Sequence, residues 1–364
     1  MQFPPLKPLR NLLPSQGLAE LVAQKMEMRR GPAAVPSALS PVTDFGSNPG
    51  GLLAWSFVPP GLAPGAPLVV VLPGCTQNAA GYDMGAGWST LAARHGFAVL
   101  YAEQTRANNQ NVCFNWFQPG DVARTGGEAE SIAQMTSHMV RQYRLNPARV
   151  GITGLSAGGA MVAAMLATYP ELFQGGAIIA GLPYGAADNV GTAFQAMAGR
   201  VTAAAPEWGD LVRRAAPHSR WPAVQIWQGT ADTTVRPPVA DELVKQWTNV
   251  HGLPPSPTVR DTVDGAAHEA WVHNGRVVVE RYLVPGLQHG TPLQTDATDV
   301  DHAAGRPGPH MLEAGISSTW HIAHSWGLLT QAARPSETRP EGPRHHDPAA
   351  LLASVLRRAG LSRA

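Results

Sequence analysis

The chain has 364 residues, 44% of them hydrophobic and 15% charged, and it carries a formal net charge of +1 at pH 7. This length suits one large α/β domain with additions, or two ordinary domains. The near-neutral charge offers no basic surface for a nucleic acid. No apolar run approaches the roughly 20 residues that span a bilayer, so no membrane span is expected.

Composition divides the chain into three parts. Residues 1–45 are an N-terminal extension with a Pro-rich start, in which a short amphipathic helix is predicted at 17–26. Residues 46–332 have the pattern of one folded domain. Residues 333–364 turn to Arg, Pro, Glu and His, which predicts a disordered tail ending in a short helix at 348–359.

Extended and helical segments alternate along the folded domain. Strands are predicted at 68–72, 97–101, 150–153, 177–180, 224–227 and 277–284, and helices at 88–95, 128–143, 159–166, 239–250 and 316–328. This alternation predicts a mostly parallel sheet with helices on both faces, with its chemistry at the carboxyl ends of the strands. Residues 182–222 are too long for an ordinary connection and form either a cap over that edge or a surface excursion.

The turn at 154–158 reads Gly-Leu-Ser-Ala-Gly, a G-x-S-x-G pattern between a predicted strand and a predicted helix. In this setting the motif holds a serine at a strained apex as a nucleophile, here Ser156. Side chains at the two glycines would clash where the backbone bends so sharply. The alternative is an accident of composition, since the chain has 38 glycines, but the strand and helix on either side favour the nucleophile.

A serine nucleophile needs a base, and the base needs an anion behind it. Asp232 follows the strand at 224–227, at the end where the acid of such a triad is expected. The alternative role for Asp232 is to cap the helix that follows. His289 follows the strand at 277–284 on a Gly-rich loop and is the candidate base, whereas His268 and His273 precede that strand and are predicted to lie on the wrong side of the sheet.

Two backbone N–H groups are the candidate donors to an oxyanion. One belongs to Ala157, directly after the serine, and the other to Cys75 on the loop after the first core strand. Cys75 and Cys113 fit no zinc pattern, so they are either a disulfide or two unrelated buried thiols. A disulfide would hold the Cys75 loop rigid, so that its N–H needs no reorganisation during reaction.

These motifs in this order resemble the polyhydroxybutyrate depolymerase-like serine esterases of the α/β-hydrolase superfamily, which are allied to feruloyl and acetylxylan esterases. The similarity covers about residues 50–330. It implies a triad of Ser156, Asp232 and His289. The segments that carry the resemblance are 74–77 (GCTQ), 113–117 (CFNWF), 154–161 (GLSAGGAM), 180–184 (AGLPY), 229–232 (GTAD) and 288–292 (QHGTP).

The resemblance also implies oxyanion donors at Cys75 and Ala157 and a crevice that contacts the ester through Asn115 and Trp116. Core packing is the alternative role for Trp116. This chain departs from the family at Pro73, where the family usually has histidine. Proline lacks an N–H and a polar ring, so any contact made by that histidine is absent here.

The implied protein is an α/β-hydrolase that cleaves short hydroxyalkanoate oligoesters through an acyl-serine intermediate. Feruloyl or acetyl esters of plant polysaccharides are the alternative substrates, and an acyltransferase or a non-catalytic binding protein are the alternative functions. No metal or organic cofactor is expected, and the partner is a small ester. The resemblance favours an extracellular or periplasmic protein, whereas the lack of a visible signal peptide at the N-terminus favours the cytoplasm.

Overall fold

The computed structural model describes residues 38–216 and 220–330. The helices expected at 17–26 and 348–359, and the expected tail at 333–364, lie outside these residues. The elements in chain order are β1 (Ser40–Pro41), β2 (Leu53–Phe57), β3 (Leu68–Leu72), α1 (Ala79–Ala86), α2 (Trp88–His95), β4 (Ala98–Glu103), α3 (Gly127–Gln142), β5 (Val150–Leu155), α4 (Ala157–Thr168), a 3₁₀ turn (Pro170–Leu172), β6 (Gly175–Ile179), α5 (Val190–Met197), α6 (Ala205–Ala215), β7 (Ala223–Gly229), α7 (Pro238–Val250), β8 (Val259–Val263), β9 (Ala266–His273), β10 (Arg276–Val284), β11 (Thr291–Leu293), β12 (Met311–Glu313) and α8 (Ser318–Ser325).

Within the described residues, ten strands form one sheet in the order β1-β2-β4-β3-β5-β6-β7-β10-β9-β8. The six strands from β4 to β10 in this order pair in parallel, and antiparallel strands extend both edges. Strands β11 and β12 form a separate parallel pair. The predicted mostly parallel sheet is therefore confirmed. Parallel pairing brings the carboxyl ends of β3, β5, β6, β7 and β10 to one edge.

The central strands of the sheet are completely buried. Every residue of β3, β5 and β6 is buried, as expected for strands covered on both faces. Helix α4 is also buried along its whole length, and its sequence is apolar on all sides. The turn between β5 and α4 is therefore clamped between two fully buried elements, which fixes the position of Ser156.

The antiparallel hairpins that β8, β9 and β10 form at one edge of the sheet were not predicted. Strands β9 and β10 are joined by Asn274 and Gly275, which both have positive φ, of 50° and 74°. An Asn-Gly pair is a strong hairpin signal that the sequence analysis did not use. The hairpin pairs His268 with Tyr282 near the carboxyl end of β10. The predicted position of His268 on the wrong side of the sheet is thus wrong, although that of His273 beside the first residue of β10 is right.

Residues 182–222 contain α5 and α6. Trp208 of α6 is buried, and its indole Nε1–H donates to Glu242 Oε2 of α7 at 2.7 Å. Helix α6 is thus held against the body of the domain by a buried polar contact. In the part of the chain described here, no helix is both long enough and apolar enough to cross a membrane.

Candidate active site

The apex of the turn after β5 is Ser156, with φ 58° and ψ −118°. Holding a non-glycine residue in such a region costs on the order of 1–3 kcal/mol. A Cβ at Gly154 would lie 2.7 Å from the carbonyl carbon of Gly158, and a Cβ at Gly158 would lie 2.1 Å from Leu72 O. Both glycines are therefore required by the close approach of the backbone. The Ser156 N–H donates to Ile179 O at 2.9 Å, which ties the turn to β6.

Asp232 and His289 meet at the carboxyl ends of β7 and β10. Asp232 Oδ2 lies 2.7 Å from His289 Nδ1, and the Asp232 side chain is fully buried. The other carboxylate oxygen, Oδ1, accepts from the N–H groups of Thr234 at 2.8 Å and Val235 at 2.9 Å. Asp232 thus orders its own turn and contacts a histidine. It does not cap α7, whose N-cap residue Pro237 has no side-chain cap hydrogen bond, so the alternative role expected for Asp232 is wrong.

The tautomer of His289 follows from this contact. A carboxylate accepts hydrogen bonds, so Nδ1 carries the proton and Nε2 is left as the basic nitrogen of the neutral ring. Among the described residues no hydrogen bond joins Ser156 Oγ to the imidazole. Such contacts are often long without substrate and tighten in the reacting complex. The structure thus brings Asp232 and His289 into contact and places Ser156 at the same edge of the sheet.

The loop after β3 carries Cys75, which is joined to Cys113 by a disulfide. Gly74 N–H donates to Gln77 Oε1 at 2.8 Å, and Thr76 N–H donates to Asn111 O at 2.8 Å. The N–H between them, on Cys75, has no acceptor among the described residues, and neither has the N–H of Ala157. The N–H groups of Cys75 and Ala157 are therefore the two candidate donors, one on the loop after β3 and the other at the first residue of α4.

Asn115 and Trp116 follow Cys113 on the same loop. Asn115 is half-buried, its N–H donates to Glu128 Oε2 at 2.9 Å, and its side-chain oxygen accepts from Asn109 at 3.0 Å. Trp116 is only 8% exposed and packs edge-on against Phe117 with ring centroids 5.6 Å apart. Trp116 therefore belongs to the core, and any contact of its ring with a ligand involves the small exposed part.

Glu128, at the start of α3, is hydrogen-bonded to the loop that carries Asn115 and Trp116. Its two oxygens accept from Asn115 N–H at 2.9 Å and from Gln104 Nε2 at 2.5 Å, and Gln104 Nε2 also donates to Cys113 O at 3.1 Å. Burial raises the pKa of Glu128 from 4.5 to about 8, because desolvation outweighs the hydrogen bonds that it accepts, and the nearby Asp121 charge raises it further.

This pKa predicts a pH-dependent stability. The unfolded chain releases the Glu128 proton near pH 4.5 and the folded chain near pH 8, so the folded state binds more protons between these values. Its free energy of unfolding therefore falls as pH rises through this window, by up to about 1.4 kcal/mol per pH unit. We expect wild type to lose stability relative to Glu128→Gln between pH 5 and 8 in urea unfolding. A difference that stays constant with pH would contradict this.

Two functional candidates were missed by sequence reasoning. Gln228 is 2% exposed, and its Nε2 donates to Asp232 Oδ2 at 3.3 Å and to Val235 O at 3.0 Å. It fixes the oxygen that faces His289. The other is His310, whose ring centroid lies 5.8 Å from that of His289. Neither position belongs to a motif, although the place of Gln228 at the end of a predicted strand beside Asp232 was a usable signal.

No group of three or more His, Cys, Asp or Glu side chains within residues 38–216 and 220–330 is arranged to hold a metal ion. The side chains at the edge of the sheet instead combine an elbow serine, a histidine with a fixed tautomer and a buried carboxylate. This is the chemistry of nucleophilic acyl transfer. Together with the sheet topology, these side chains define the protein as an α/β-hydrolase.

The comparison with known families is more specific. Residues 53–267 match the family described as "Esterase PHB depolymerase". The chain belongs to this family, and it is a carboxylic ester hydrolase. The resemblance inferred from the motifs is thereby confirmed.

Relatives and solved structures agree with this assignment. The chain is 43% identical over 295 residues to poly(3-hydroxyalkanoate) depolymerase C of Paucimonas lemoignei, covering 80% of this chain and 70% of the relative. It is 32% identical over 263 residues to an acetylxylan esterase of Coprinopsis cinerea, covering 70% and 69%. The solved acetyl xylan esterase from Aspergillus awamori aligns with a TM-score of 0.65 and 26% identity, over 70% of this chain and 94% of that chain.

Proposed function

We propose that this protein hydrolyses short hydroxyalkanoate oligoesters through an acyl-serine intermediate on Ser156. The observation that carries the proposal is the 2.7 Å contact between the buried Asp232 carboxylate and His289, at the same sheet edge as a strained elbow serine. His289 Nε2 takes the proton of Ser156 as its oxygen attacks the ester carbonyl, and then returns that proton to the departing alcohol. Water, activated by the same nitrogen, releases the acyl group.

The negative charge that develops on the carbonyl oxygen is stabilised by the N–H groups of Cys75 and Ala157. Both donors lack an acceptor among the described residues, and Ala157 is the first residue of α4, where the helix dipole adds a partial positive charge. The Cys75–Cys113 disulfide restrains one donor, and the buried α4 fixes the other. Donors held in place before the reaction need no reorganisation, which is the main source of such stabilisation.

The substrate class is proposed on similarity and on the wall of the site. The relative with 43% identity is named as a poly(3-hydroxyalkanoate) depolymerase. The loop at 113–117 joins the proposed oxyanion loop through the disulfide, so the exposed parts of Asn115 and Trp116 would line the ester. A largely apolar wall with one amide suits a short aliphatic hydroxyacyl group.

The proposal is tested by kcat/KM on three substrates: the linear trimer of 3-hydroxybutyrate, acetylated xylo-oligosaccharides and p-nitrophenyl butyrate. We expect the trimer to be cleaved most efficiently. Preference for the acetylated sugars would support the second candidate, an acetylxylan esterase. This candidate rests on the similarity of the chain to enzymes of that name. If added alcohol yields mainly a new ester, the enzyme is an acyltransferase, and absence of turnover on all three would leave a binding protein.

The same site suggests a compartment. Disulfides persist in oxidising environments and are rare in the cytoplasm. Because the Cys75–Cys113 bridge holds a proposed oxyanion donor, we propose that the protein acts outside the cytoplasm. Mass spectrometry of protein alkylated without reduction, taken from its native source, should show both cysteines blocked by the bridge. Two alkylated thiols would contradict this.

A further inference from the structure

A second histidine lies beside the proposed general base. The rings of His310 and His289 are 5.8 Å apart between centroids and are inclined by 78°. The register of β11 and β12 pairs Thr291 with Met311, which brings His310 alongside Gly290. A Cβ at Gly290 would lie 2.8 Å from His310 O, so only glycine allows this approach. The pairing of two short strands thus delivers an exposed imidazole to the site.

The backbone of His310 is held in an unusual conformation. Its φ is 59°, in the left-handed region that non-glycine residues rarely adopt. His310 O accepts from Thr291 N–H at 2.8 Å, and His310 Nδ1 lies 3.0 Å from His289 O. These two contacts tie His310 to the residues on either side of Gly290.

The loop of His310 also reaches the proposed oxyanion loop. Pro309 O accepts a long hydrogen bond of 3.4 Å from Gln77 Nε2. Gln77 Oε1 in turn accepts from Gly74 N–H, the residue before Cys75. The segment that carries His310 is therefore connected both to the histidine and to the oxyanion loop, which places it in the wall between them.

The contact of His310 Nδ1 with His289 O determines which nitrogen of the neutral His310 ring carries the proton. A carbonyl oxygen can only accept, so Nδ1 carries the proton and donates to His289 O. In the neutral ring Nε2 is then an acceptor. Among the described residues nothing donates to this Nε2, and the side chain is exposed. An exposed acceptor beside the proposed base is suited to a hydroxyl group, which a simple alkyl ester does not carry.

We propose that His310 Nε2 accepts a hydrogen bond from a hydroxyl group of the substrate, and that this contact makes the enzyme prefer esters that carry a hydroxyl near the scissile bond. The inference rests on the proposed esterase function and adds the residue that reads the hydroxyl. Two sources share this chemistry: a hydroxyl on the acyl group, as in a 3-hydroxybutyryl ester, and a hydroxyl on the alcohol.

The test compares wild type with His310→Asn on two pairs of esters. The acyl pair is p-nitrophenyl 3-hydroxybutyrate and p-nitrophenyl butyrate, and the alcohol pair is 2-hydroxyethyl butyrate and ethyl butyrate. The amide of asparagine occupies the place of Nδ1, can donate to His289 O and tolerates the left-handed backbone. It does not reach the position of Nε2. His310→Gln, whose longer amide reaches that position, is the rescue variant.

In wild type we expect kcat/KM to favour the hydroxylated member of one pair by about 2- to 10-fold, the range of one neutral hydrogen bond. In His310→Asn this ratio should fall to about one, and His310→Gln should restore part of it. The pair that responds identifies the source of the hydroxyl. An equal loss on both members of each pair would overturn the proposal, because His310 would then act only through the position of His289.

Two further outcomes would also overturn it. One is a wild-type enzyme without preference in either pair, and the other is a preference that survives in His310→Asn. Failure of the esterase proposal is distinguishable, because wild type would then hydrolyse none of the four esters. In that case the inference about His310 fails together with the function on which it rests.

Discussion

Replacing Ser156 with alanine is expected to lower kcat for ester hydrolysis by about 10⁵- to 10⁶-fold, the cost of losing the nucleophile of a triad. The hydroxyl is the only group in the proposed mechanism that bonds to the substrate carbon, so neither His289 nor the oxyanion donors can replace it. Alanine keeps a Cβ at the same strained position, and the buried β5 and α4 that hold the turn are unchanged. The folded structure should therefore survive.

The measurement is hydrolysis of p-nitrophenyl butyrate, together with labelling by a fluorophosphonate that reacts with activated serines. The matched control is Ser89→Ala. Ser89 is 8% exposed, as is Ser156, but it lies on α2 rather than at the turn. Full activity and labelling in Ser89→Ala, with loss of both in Ser156→Ala, would support the proposal. Labelled Ser156→Ala protein would place the nucleophile elsewhere.

The central sheet was predictable because its strands are continuous apolar runs. The run at 68–72 is buried in every residue, and the predicted helix at 88–95 has the observed bounds. The edges were less predictable. Strand β8 is almost entirely exposed, so its sequence carries no apolar alternation. The only sequence signal for the hairpin that joins β9 to β10 was its Asn-Gly turn. Apolar periodicity therefore predicted the central strands of the sheet but not the strands at its edges.

The site divides in the same way. Ser156, Asp232 and His289 each follow a recognisable strand, so topology alone brings them to one edge. Gln228 and His310 were not predicted, because neither belongs to a recognised motif. The Gln228 amide donates to Asp232 across the turn that follows β7. His310 lies beside His289 because the three-residue strands β11 and β12 pair. Residues that reach the site through such contacts are the part that the sequence did not predict.

Asp232→Asn is expected to lower kcat by about 10⁴-fold while leaving the fold intact. Asparagine still presents an oxygen to the N–H groups of Thr234 and Val235, so the turn remains ordered. The amide nitrogen then faces His289 and donates to Nδ1, which moves the ring proton to Nε2. In that tautomer the imidazole points a hydrogen at Ser156 and cannot accept its proton.

The control for this variant is Asp301→Asn. Asp301 Oδ2 lies 2.7 Å from His95 Nε2, the same separation as in the Asp232–His289 pair. His95 ends α2 just before β4 and thus lies at the amino edge of the sheet, opposite the site. Asp301→Asn should therefore change kcat by less than about tenfold, a surface effect rather than a catalytic one. If both variants lose activity equally, the loss follows from breaking any His–carboxylate pair, and Asp232 has no special role in catalysis. If Asp232→Asn keeps wild-type kcat, the carboxylate only orders its turn and His289 requires another orienting group.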